Sequence, residues 1–130
     1  MIPNLEGRAL SVLGPVEPEL LGQVSMHEHL LLDITRPAHN PRPGYSEPGS
    51  RRPLALNNLA AVRSGAASWA NDRLGDVQGQ AAEIGAFAAA GGRTLVDVGN
   101  LGLGRDAEGL AALARLSGLN IVMGSGWYER

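Results

Sequence analysis

Two short apolar runs separated by one helix-length segment constrain this chain more than any other feature. Residues 93–98 read RTLVDV and residues 120–123 read NIVM. Both are of strand length, rich in β-branched residues and apolar on both faces, the pattern of strands buried in a parallel sheet. Between them, residues 106–116 (DAEGLAALARL) form an expected helix, with Asp106 placed to cap its start and Gly118 to end it. A second helix is expected over residues 76–90, where Ile84, Phe87 and Ala88 fall at helical spacing before Gly91 and Gly92. Further upstream, residues 23–32 read as a buried strand and residues 7–14 as a short strand leading into a Gly-Pro turn. Residues 36–53 form an irregular, proline-rich connection, and residues 54–62 a short helix. Strands alternating with helices predict an α/β fold, a parallel sheet covered by helices.

The rest of the composition narrows the function. With 130 residues the chain holds at most one domain, so residues 1–130 are expected to be part of a single domain. A net charge of −2 gives no electrostatic case for nucleic acid or an anionic membrane. No basic start followed by an apolar stretch marks a signal peptide, and no apolar run reaches spanning length; a cytoplasmic location is the expectation. Cysteine is absent, so any metal site must use histidine and carboxylate. All eleven basic residues are arginine.

Two of the three histidines lie in VSMHEHLLLD, residues 24–33. On a strand, residues i and i+2 point to the same side, so His27 and His29 project together while Met26 and Glu28 project the other way. Two neutral imidazoles at one end of a strand can share a divalent cation, and zinc takes imidazole nitrogen readily. The helical His-Glu-x-x-His motif is excluded, because position 31 is leucine. The competing reading makes both histidines ordinary core or hydrogen-bonding residues. Glu28 is expected on the helix side in a structural role, paired with an arginine. His39 reads as a solvated loop residue.

Asp97, inside an apolar strand, must be paired, hydrogen-bonded or metal-bound. It can orient a ligand histidine or bond backbone at a strand end, and the second reading is favoured. Residues 99–104 (GNLGLG) precede a helix but fit neither phosphate-loop fingerprint, having no following lysine and the wrong glycine spacing. They read as a flexible loop at the same sheet end as the histidines. Trp127 and Tyr128 follow the last strand and can wall a substrate pocket or pack on a loop.

These pieces resemble the phosphotriesterase family of the amidohydrolase superfamily. The Gly-Pro turn, the His-x-His strand, the GGRTLVDV strand, the GRD helix start and the NIVMG strand occur in that family's order and spacing. The resemblance runs from about Gly7 onward and is weakest across the proline-rich connection. It implies the N-terminal portion of a (β/α)8 TIM-type barrel: about three barrel strands with covering helices, preceded by a short N-terminal β segment. It also implies a binuclear-metal hydrolase, usually with two Zn2+, in which His27 and His29 hold the more buried metal. A metal-activated hydroxide would attack a phosphotriester, lactone or carboxylic ester, so the expected partner is a small-molecule ester or lactone. A homodimer is one assembly open to the complete protein.

The chain departs from that family's pattern. The family bridges its metals with a carboxylated lysine or a glutamate, and takes two more histidines and an aspartate from later strands. This chain has no lysine and stops at Arg130, after its third expected barrel strand. Gly99-Asn100 also stands where relatives often carry Thr-Pro. A full barrel takes about 250 residues, so the expectation is a fragment of a hydrolase, inactive alone. Two alternatives are a non-catalytic half-barrel that pairs with another chain and a small binding protein using the glycine loop for an anion.

Overall fold

The computed structural model describes residues 4–35, 44–45 and 47–127. His39, Tyr128 and half of the proline-rich connection lie outside these residues. The N-terminal segment is a hairpin where one strand was expected. β1 (Ala9–Ser11) and β2 (Gly14–Val16) pair antiparallel. The Ser11 hydroxyl donates to the Gly14 carbonyl (2.8 Å) and accepts from the Leu13 amide (3.2 Å). This local side-chain bonding turns the chain back on itself.

β3 (Gln23–Glu28) follows, then β4 (Leu32–Asp33), α1 (Leu56–Arg63), α2 (Trp69–Asp72), β5 (Arg73–Leu74) and α3 (Val77–Ala89). β6 (Gly92–Asp97), α4 (Ala107–Ser117) and β7 (Asn120–Met123) complete the described chain. β3, β6 and β7 form a parallel sheet in that order, with β6 in the centre. The expected strand over residues 23–32 is shorter: the ladder ends at Glu28, and Leu32–Asp33 instead pairs antiparallel with Arg73–Leu74. Sequence reading did not anticipate that ribbon or α2. Both are too short to carry a periodic signal.

The core lies between the sheet and α3 and α4. Leu95 and Ile121 from the strands meet Ile84, Leu110, Leu113 and Ala114 from the helices, closed by Leu30, Leu31 and Leu119. Leu110 and Leu113, three residues apart, are among the most fully buried side chains. Asp76 and Asp106 cap the two helices, accepting from the amides of Gln78 (3.1 Å) and Gly109 (2.8 Å). No described helix is long and apolar enough to cross a membrane.

The loop after β6 is packed against the ribbon. Gly104 sits at φ +73°, and a β-carbon there would lie 2.7 Å from the Asp33 carbonyl oxygen. Gly104→Ala is therefore expected to cost about 2–4 kcal/mol, backbone strain plus overpacking. Gly118→Ala, at φ +70° with nothing within 4 Å, carries the strain alone, roughly 1–2 kcal/mol. Urea midpoints of the two variants measured side by side check the difference.

Candidate metal site at the sheet's C-terminal edge

Parallel strands bring their C-terminal ends to one edge, the end at which barrel enzymes build their active sites. Here the three following segments are stitched together. The Val98 amide donates to the Glu28 carbonyl (2.9 Å) and the Gly124 amide to the Asp97 carbonyl (2.7 Å). The Arg105 guanidinium donates to the Gly124 carbonyl at 3.0 Å.

His27 and His29 stand at this edge, and a bulge sets how they do so. Ser25 pairs with Leu95 and Glu28 with Asp97, so β3 uses three residues where β6 uses two. The extra residue returns Ser25 and Glu28 to one side, where the Ser25 hydroxyl donates to the Glu28 carboxylate. Serine therefore takes the place of the arginine expected beside Glu28 among the described residues. Met26 is 69% exposed and does not share the half-buried environment of Glu28, which corrects the simple alternation. His27 and His29 flank Glu28, both exposed, with ring centroids 5.7 Å apart at 75°. Neither ring has a hydrogen-bond partner among the described residues.

This pair fits a divalent cation as part of a donor set. Two neighbouring imidazoles without other partners among the described residues can reach one ion at the usual Zn–N distance of about 2.0–2.1 Å. They do not complete a site, because the described residues contain no group of three or more metal-ligating side chains.

Asp97 is 1% exposed and binds backbone: its two oxygens accept from the amides of Leu30 (2.7 Å) and Gly99 (2.8 Å). It has no hydrogen bond to either imidazole ring among the described residues. Its carboxylate instead ties the residue after His29 to the loop after β6. In that loop, Gly99 and Asn100 are buried and Leu101–Leu103 forms a 3-10 turn, so the glycine run is packed where a flexible loop was expected. Trp127 is 78% exposed. A cavity of about 320 Å³ nearby is lined by Leu31, Asp33, Arg73, Gly104, Arg105 and Asp106, without the histidines. Its charges are spent internally: Asp33 faces Arg73 at 3.6 Å and accepts from Thr35. Sequence reading missed Ser25 as the partner of Glu28. A hydroxyl three residues before a carboxylate signals a contact only once the bulge is known.

A model of the phosphotriesterase family matches residues 8–130. N-acetyltaurine hydrolase of Rattus norvegicus is 35% identical over 127 residues, covering 96% of this chain. Among solved structures, a resiniferatoxin-binding protein from Rhodobacter sphaeroides superposes with a TM-score of 0.75 at 32% identity over 95% of the chain. The phosphotriesterase from Mycobacterium tuberculosis does so with a TM-score of 0.58 at 25% identity over 94%. The chain spans 36% of the length of the rat relative, and 35% and 30% of the two solved chains. The three-stranded parallel sheet with its helices is thus a portion of the fold these proteins share. The chain belongs to the phosphotriesterase family.

Proposed function

We propose that this chain supplies one edge of the active site of a metal-dependent hydrolase, with His27 and His29 holding one of two divalent cations, zinc in the first instance. The observation that carries this reading is the pair of exposed imidazoles, without hydrogen-bond partners among the described residues and 5.7 Å apart, at the C-terminal edge of a parallel sheet. A divalent cation bound there lowers the pKa of water and polarises the bond under attack. The chain's own part is to hold the two rings on one side of β3 through the bulge at Met26-His27. The substrate is a small molecule with a phosphotriester, lactone or carboxylic ester bond, or an N-acyl amide as the name of the rat relative indicates. Two imidazoles are fewer than the three protein ligands of catalytic zinc sites, so residues 1–130 alone are inactive.

The test uses the protein at the length its source makes it, assayed with N-acetyltaurine, a simple lactone and a nitrophenyl phosphotriester. Hydrolysis of at least one should fall on the order of 100-fold on chelation and return with zinc. Turnover indifferent to chelation overturns the metal reading. Turnover by residues 1–130 alone, abolished by His27→Ala, overturns the inactivity of the isolated chain.

A second reading, a half-barrel that works by pairing with another chain, rests on β3 and β7 both being sheet edges. Co-purification with a polypeptide that carries further metal ligands favours it.

A further inference from the structure

Asn100 is the one described residue whose buried side chain has an atom without a partner. Its Oδ1 is sealed from solvent and accepts nothing, and the residue is 5% exposed. Buried polar groups are overwhelmingly satisfied, so such an orphan calls for a physical reason. Its place in the fold supplies one. Asn100 follows Gly99 and His29 precedes Leu30, and the amides of Gly99 and Leu30 are both held by the Asp97 carboxylate. One carboxylate therefore ties the backbone just after His29 to the backbone just before Asn100.

The two residues also have complementary needs. A metal-ligating imidazole uses one nitrogen for the ion and gives its other N–H to an acceptor that fixes the ring. Asp97 already accepts from two backbone amides and Glu28 from the Ser25 hydroxyl, and neither carboxylate is hydrogen-bonded to an imidazole ring among the described residues. Asn100 Oδ1 is an acceptor with nothing to accept. Because no solvent reaches it, its partner must come from the protein rather than from a dissolved ligand.

We infer that Asn100 is a positioning residue for the metal site: when the histidine pair takes up a cation, the His29 ring turns and donates its second N–H to Asn100 Oδ1. The inference rests on the metal-binding reading above. It goes beyond it by assigning a role to a residue that touches neither the cation nor a substrate.

The experiment is a zinc titration of the 130-residue chain, followed by nitrogen-15 NMR of the imidazoles, in wild type, Asn100→Leu and Asn100→Asp. In wild type, zinc should shift both ring systems and hold the His29 proton on a single nitrogen. Leucine matches asparagine in the number and branching of its side-chain heavy atoms and removes the orphan acceptor. Asn100→Leu should therefore keep or raise the urea midpoint while weakening zinc binding about 10-fold and releasing the His29 tautomer. Asn100→Asp keeps an acceptor and should keep the tautomer. A purely structural role predicts the opposite for leucine, a lower midpoint with unchanged zinc binding, and that result overturns the proposal. If wild type shows no zinc shift at His27 and His29, the metal reading fails and this inference falls with it. Zinc binding unchanged in Asn100→Leu overturns this inference alone.

Discussion

His27→Ala and His29→Ala should each weaken zinc binding by residues 1–130 on the order of 100-fold, more than the loss of a residue that merely orients a ligand. With two imidazoles in the set, removing either leaves a lone histidine, which holds zinc no better than an unfolded peptide would. Folding should hardly notice. Both rings are exposed and neither is hydrogen-bonded among the described residues, so the urea midpoint should move by an amount worth no more than about 0.5 kcal/mol. A zinc titration followed by histidine resonances, with a urea melt of each variant, reads both quantities. Equal zinc binding in wild type and both variants would place the metal elsewhere. Inserting one alanine between Glu28 and His29 sharpens the test. It leaves both imidazoles in the chain but sends them to opposite faces, because a one-residue slip reverses every side chain beyond it. That variant should bind zinc as weakly as the alanine variants.

The insertion works for the same reason that the site was partly legible in the sequence. The i, i+2 spacing of His27 and His29 indicates one shared side, and the rings do lie together. What it does not show is the bulge, which depends on how β3 registers against β6, a strand nearly seventy residues away in the sequence. Without the bulge, Met26 belongs beside Glu28 and the Ser25 contact is invisible. α3 and α4 are readable almost to their ends, because Asp76, Asp106 and Gly118 are local signals acting within one turn. The two-residue ribbon of β4 and β5 is not, because its pairing is tertiary. Asp97 falls between these cases. An aspartate inside RTLVDV announces a buried carboxylate, but nothing local tells which amides it meets.

Asp97→Ala should then be the most damaging single change outside the apolar core. The carboxylate is 1% exposed, and removing it strands the amides of Leu30 and Gly99, both in buried residues. A buried donor left without an acceptor costs about 1–3 kcal/mol, so two of them cost roughly 2–5 kcal/mol. Asp97→Asn separates charge from acceptor count. The amide keeps one acceptor oxygen but turns an N–H2 group toward whichever backbone amide lost its partner, setting donor against donor. Asparagine should therefore lose nearly as much as alanine, although its shape is that of aspartate. A mere space-filling role would instead leave the asparagine variant close to wild type, and urea melts distinguish the two outcomes. If the alanine variant does not fold, hydrogen exchange at Leu30 and Gly99 in the asparagine variant carries the same information. Exchange at one of the two should accelerate far more than in β6 itself. Because Leu30 follows His29 directly, loosening its amide also loosens the backbone that holds the ring. Zinc affinity should consequently fall about 10-fold in Asp97→Asn, through a carboxylate whose hydrogen bonds among the described residues go to backbone amides.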